Sequence, residues 1–300
     1  MVALTDDIRA ACGRVAERAR HVRIVDDAIA PYAATLPAAS PPGPDLPETE
    51  GEEARAAFSL QLNGVNFGSG WFPTLRKPPG LSGFRTVEAG LRAHGPWPAA
   101  ELVGIAPATV AAAFGQDADH PRMGWFATAL DELGRRVLDE HGGSFLALAR
   151  AGDGSAEALA AHLAGWPAWH DVSTYDGEPV PFFKRAQIAA ADLHLSGIAP
   201  ARDIARLTLF ADNLVPHVLK VDGLLAVDPA LDARIEAGEL LEHGSPEEVE
   251  LRACALHAVE RLVAAHGDTT ATAVDNVLWL RGGEPRYKAR PRHRARTTAY

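Results

Sequence analysis

Apolar residues recur every three or four positions along most of this chain, the spacing of helices that bury one face. Thr5 to Ala30 reads as one helix, capped by Thr5 or Asp6, with Ile8, Ala11, Cys12, Val15 and Ala19 on one side. The pattern of His21 to Val25 continues toward a second short helix ending near Tyr32. Further helices are predicted over Ala54–Val65, Thr86–His94, Ala99–Phe114 with Pro107 opening its second half, and Met123–Glu140. In the last of these, Trp125, Phe126, Leu130, Leu133 and Leu138 form the expected buried side. Ser144–Ala151, Ser155–Ala164, Phe182–Leu195, Asp228–Ala237, Ser245–His266 and Ala271–Leu280 follow, several with a Ser or Asp cap in front and a Gly behind. The interruptions are equally legible. Leu36 to Glu53 is rich in Pro, Gly and acids and reads as a long surface loop, and Asp176-Gly177 suits a small hairpin.

One interruption carries chemistry. In Leu207–Val221 (LTLFADNLVPHVLKV), Ile204, Leu207, Ala211 and Leu214 recur at near-helical spacing. Pro216 then pre-sets a new first turn, a break is expected near Val215, and Gly223 can close the short helix. Asp212 stands in the gap. An acid at such a junction meets backbone N–H groups and the positive end of a helix, an environment that suits a charged carboxylate. A cationic transition state needs such a group. An Asp before a helix is also an ordinary N-terminal cap, and local sequence alone favours that reading. Asn66 to Pro73 (NFGSGWFP) reads either as a glycine-and-aromatic loop lining a pocket or as a tight turn with two core aromatics. Lys184 and Arg185 open a helix, where cations conflict with the dipole, so they face something negative or lie solvated over the neighbouring aromatics.

Composition narrows the class. Three hundred residues with 47% hydrophobic and 23% charged content fit a soluble globular chain, as one large domain or two lobes around a central cleft. Abundant Ala and rare β-branched runs favour an all-α or nearly all-α fold. We expect a single domain over 1–300, with the 36–53 loop inside it and a basic segment at 286–300. Two cysteines, Cys12 and Cys254, give no disulfide framework, which fits a cytoplasmic setting. No apolar run reaches membrane-spanning length and no signal-peptide layout opens the chain. A net charge of −10 argues against a broad surface for polymeric nucleic acid. The closing RYKARPRHRARTTAY is the basic exception and, read alone, is an RNA-binding or disordered tail. The twelve histidines show no ligand spacing, so neither a metal nor a cofactor is expected.

Several segments together resemble one family, the queuosine salvage proteins. They are NFGSGWFPTL (66–75), FFKRAQI (182–188), LTLFADNLVPHVL (207–219), GSPEEVELRACALHAVE (244–260), VDNVLW (274–279) and RHRARTTAY (292–300). The resemblance covers the chain from about residue 55 onward. It implies a helical fold similar to helix-hairpin-helix DNA glycosylases. The implied activity is hydrolysis of queuosine 5′-monophosphate, releasing queuine for the salvage of tRNA queuosine. Carried over by position, it makes Asp212 the nucleophile or transition-state stabiliser. Phe210 and Asp275 become base contacts, and Lys184 and Arg185 face ribose or phosphate. Asn66, Phe67, Trp71, Asn213 and Asn276 fall in the same motifs and complete the candidate binding set. The chain departs from many members at Asn63, where Asp is common, at Asn213 and Asn276, where aromatics are common, and at Leu280, where some carry an acid. The competing reading is a helical nucleic-acid module or base-excision relative acting on polymer, which predicts a wide basic face and steep salt dependence.

Overall fold

The computed structural model describes residues 3–37 and 51–300, so most of the loop expected over 36–53 lies outside the described residues. The chain is mostly α. In order its elements are α1 (Leu4–Arg18), β1 (Val22–Ile24), α2 (Asp26–Ala33), α3 (Glu52–Gly64), α4 (Gly83–His94), α5 (Ala99–Leu102), α6 (Pro107–Ala113) and α7 (Pro121–His141). Next come α8 (Phe145–Ala149), α9 (Ala156–Ala164), β2 (Val172–Tyr175), β3 (Glu178–Pro181), α10 (Lys184–Leu195), α11 (Leu214–Val221) and β4 (Leu225–Val227). The chain closes with α12 (Pro229–Glu236), β5 (Leu240–Leu241), α13 (Pro246–His266), α14 (Ala271–Arg281), α15 (Pro285–Lys288) and β6 (Arg294–Ala295). The described residues divide into two compact units. No helix among them is long and apolar enough to cross a membrane.

The first unit gathers α1 to α2, the segment Asp171–Lys184 and the chain from Ile204 to Arg296. Its centre is α13, which buries apolar Val249, Leu251, Leu256, Val259 and Leu262 and also charged Glu248, Glu250 and Arg252. Its start is half of the expected capping box: Ser245 Oγ accepts from Glu248 N at 3.4 Å, while the Glu248 carboxylate accepts from Gly244 N at 3.0 Å, one residue before the cap, and Ser245 N donates to Glu242 O. The helix expected over Thr5–Ala30 is instead broken after Arg18. His21 N and Val22 N donate to the buried Glu250 carboxylate at 2.6 and 3.0 Å. Val22–Ile24 then pairs antiparallel with Leu225–Val227. A three-residue Val-Arg-Ile run fits either period. A partner two hundred residues away decides for strand. The β2–β3 hairpin forms where expected, with Asp176 and Gly177 at φ 48° and 83°, the left-handed pair a two-residue hairpin turn demands.

The basic segment from residue 286 is folded, not a tail. Tyr287, His293 and Ala295 are buried, and β6 pairs parallel with β5. Its cations have partners far back in sequence: Arg286 meets Asp222 at 3.1 Å, Arg290 meets Glu236 at 3.1 Å and Arg294 donates to Gly238 O at 3.0 Å.

The second unit holds α3 to α9, the rest of α10 and the last four residues, Thr297–Tyr300. Its spine is α7, packed on α3, α5, α6 and α8. The buried stripe is Met123, Phe126, Leu130, Leu133 and Val137. Trp125 and Leu138, expected on that stripe, face outward. Each lies one residue, about a 100° turn, from Phe126 or Val137. Gly134 lets α5 approach: a Cβ there would sit 2.6 Å from Leu102 Cβ and 2.7 Å from Ala99 O. Ser144 and Ser155 cap α8 and α9 through Ala147 N and Ala158 N.

Candidate active site

The segment leading to Asp212 is not helical, contrary to its spacing. Ile204–Arg206 forms a single 3₁₀ turn and Leu207–Ala211 runs on as irregular, buried backbone. The helix resumes at Leu214, two residues before Pro216. Pro216 thus falls in the first turn, where its missing N–H has no intrahelical partner to lose. Gly223, at φ 82°, follows the helix end. Asp212 Oδ1 accepts from Leu214 N at 2.6 Å and Val215 N at 3.4 Å. The acid therefore does cap α11, and two N–H groups fix its position. From Leu207 to Asn213, Asp212 is the single residue that is not buried.

Its neighbours are held by side chains from distant segments of the same unit. Asp275, buried on α14, accepts Phe210 N through Oδ1 at 3.2 Å. Asn213 is buried and donates to His293 O at 3.1 Å. Arg252 Nε donates to Ala211 O at 2.9 Å, one residue before Asp212. The same guanidinium grips Asp171 with both ends, at 2.9 and 2.7 Å, and lies 3.9 Å over the Phe182 ring. Asp171 Oδ2 also accepts Lys184 N at 3.0 Å. Arg252 and Asp171 thus tie the backbone before Asp212 to the start of α10. Phe183, between β3 and Lys184, has φ 47°. A bulky residue in that region is strained by about 1–3 kcal/mol, so the surroundings enforce the bend that sets Lys184 in place. Asn276 is half-buried on α14, next to Asp275.

Two residues of the C-terminal segment share the field of Asp212. Burial pushes the Arg292 guanidinium down and the Asp212 carboxylate pulls it back up. His293 is fully buried, which holds its imidazole at about 4 against the opposing pull of Glu248 and Asp212. Its Nε2 has no hydrogen-bond partner. His217, in the first turns of α11, is also pushed down by burial, partly offset by its bond to Tyr287 O at 2.9 Å.

The remaining candidates belong to the second unit. Asn66 is half-buried; Phe67 and Trp71 are buried. Gly68 N donates to Tyr300 O at 2.7 Å, and Gly68 has φ 78°. A Cβ there would meet the Trp71 ring at 2.7 Å, so this turn requires glycine. Arg185 is buried and donates to Gly64 O at 2.7 Å, Ala299 O at 3.3 Å and Ala168 O, with the Phe67 and Trp169 rings 4.9 and 5.3 Å away. Sequence reading missed Asp171, Arg252, Arg292, His293 and, in this unit, the buried Arg122, which donates to Phe67 O. The available signal was Glu248, Glu250 and Arg252 standing among the apolar core positions of α13. The described acids and histidines grouped at metal-ligand spacing lie outside the Asp212 cluster, in the second unit (Glu140, His141 and His162).

The family model described as queuosine salvage protein matches residues 91–300. A protein of Sphaerobacter thermophilus named queuosine 5′-phosphate N-glycosylase/hydrolase is 34% identical over 96% of this chain and 95% of its own length. Proteins of the same name from Bos taurus and Mus musculus are 35% and 31% identical, over 50% and 57% of this chain and 47% and 56% of their own lengths.

Proposed function

Since the chain belongs to the queuosine salvage protein family, we propose that it hydrolyses the N-glycosidic bond of queuosine 5′-monophosphate and releases queuine. The observation that carries this reading is Asp212: the one accessible residue in a buried run, pinned by two backbone N–H groups and flanked in the chain by Phe210 and Asn213.

Cleavage builds positive charge on C1′ and O4′ of the sugar. A carboxylate held in advance stabilises that charge without reorganising, and it orients the attacking water. The bond to the base breaks with its electron pair going to the base. Water supplies the hydroxyl at C1′, and its proton ends on the departing base. A 7-deazaguanine offers no N7 to protonate, so recognition of its guanine-like edge must spread the negative charge. Asp275 suits that edge, and its bond to Phe210 N couples it to a ring that can stack on the base. Such stacking contributes roughly 1–3 kcal/mol per base. Lys184 takes the 5′-phosphate, giving binding energy remote from the reacting bond. Arg185 donates instead to three carbonyls within the second unit.

The test is release of free queuine from queuosine 5′-monophosphate, followed by mass spectrometry. Asp212→Asn keeps a side-chain oxygen for the cap, so its circular dichroism should match wild type. Its turnover should fall by about 10²–10³. No release by wild type, or equal release by the variant, overturns the assignment.

A further inference from the structure

Two adjacent side chains and a third, 21 residues on, converge in the second unit. Glu140 and His141 end α7, and His162 lies in the last turn of α9. His141 Nε2 and His162 Nε2 are 3.1 Å apart, and Glu140 Oε2 is 3.6 Å from His162 Nε2. All three potential ligand atoms lie within 4.8 Å of one another.

The group is braced. The two imidazoles meet edge to face at 5.2 Å, and both lie against the Trp166 ring, at 6.4 Å for His141 and 5.2 Å for His162. Glu140 is aimed as well: Oε1 takes Arg136 Nη1 at 2.7 Å while Oε2 faces His162. Arg136 in turn lies over Trp166 at 5.8 Å. A carboxylate oriented by a second group is a common support for metal ligands.

A hydrogen bond between neutral imidazoles would explain the 3.1 Å contact alone. The exposed Glu140 carboxylate, which also meets the Trp166 side chain, has Oε2 3.6 Å from one of the same nitrogens, beyond hydrogen-bond range. A single cation fits both separations. With bonds of about 2.0–2.2 Å and angles of roughly 90–120°, ligand atoms fall about 2.8–3.8 Å apart.

We propose that Glu140, His141 and His162 bind one divalent transition-metal ion, zinc by preference, joining the end of α7 to α9. Two imidazoles and one carboxylate suit zinc, whereas magnesium and calcium call for oxygen ligands throughout. Three protein ligands leave a further position for water. The hydrolysis proposed above needs no metal, so this site stands independently of it.

The test uses the untagged full chain. Wild type, His141→Gln and His162→Gln are dialysed against zinc ion and assayed for retained metal, with far-UV circular dichroism confirming that each is folded. Wild type should hold one zinc per chain, and each variant should bind at least about tenfold more weakly. Cobalt should give a visible absorption band in wild type that both variants lose. Substoichiometric zinc in wild type, or equal retention in wild type and a folded variant, overturns the site. Either variant suffices should the other fail to fold.

Discussion

Arg252 and Arg122 are both buried arginines, 0% and 1% exposed, and their surroundings differ. In the first unit, Arg252 is met by charge: a two-ended bond to Asp171, a carbonyl and an aromatic face. In the second, Arg122 has one carbonyl and the faces of Phe72 and Phe126 at 4.6 and 4.5 Å, and its Nε and Nη1 have no hydrogen-bond partner. Burial accordingly pushes Arg122 down to about 9. The difference separates two jobs. A cation whose partners each hold another segment organises the structure around it. A cation among rings mainly fills space, at a desolvation cost its few contacts only partly offset.

Four measurements can break that contrast. The largest effect should come from Arg252→Met, which leaves Asp171 buried without its partner. Denaturant unfolding should show a loss of about 3–5 kcal/mol. Adding Asp171→Asn should recover part of it; a strictly additive double variant would mean the pair is not a unit.

His293 comes next, a base buried in neutral form. Its folded value of about 4 lies below the ordinary 6.5. Below pH 6.5 the unfolded chain takes a proton that the folded chain refuses. Stability should therefore fall as pH drops from about 6.5 to 4, by on the order of 3 kcal/mol, and this contribution should be complete above that window. His293→Gln should flatten the profile there, and matching slopes would remove His293 as the cause.

Tyr175→Phe should cost about 1–2 kcal/mol, because Tyr175 donates to buried Glu250 at 2.7 Å. Arg122→Met should change stability least, by no more than about 1 kcal/mol in either direction. A loss as large as that of Arg252→Met would abolish the distinction between the two arginines.

The sequence announced the helices, their serine caps and the Asp176-Gly177 hairpin, because each rests on residues within a turn of one another. It concealed what depends on distant partners. Val22–Ile24 becomes a strand through Leu225–Val227. Leu207–Ala211 departs from helical spacing where Phe210 N and Ala211 O find Asp275 and Arg252 instead of their own helix. The closing arginines looked like a solvated tail because Asp222, Glu236 and Gly238 precede them by more than fifty residues. Within the candidate site, Asp212 was legible as an acid at a helix start. The motif residues around it could be grouped by sequence, but their supporting bonds could not. His141 and His162 were hidden for the same reason, 21 residues apart on two helices.

The first unit's discontinuous chain has a consequence during synthesis. Arg9 of α1 reaches Glu260 of α13 at 2.9 Å, across 251 residues. At about 5–20 residues per second, roughly 13–50 s separate the emergence of the two partners. Throughout that interval Ile8, Cys12 and Val15 lack the helix that covers them, so the nascent chain spends most of its translation with an adhesive amphipathic segment awaiting its mate. Chaperone dependence should therefore be strongest for the first helix made.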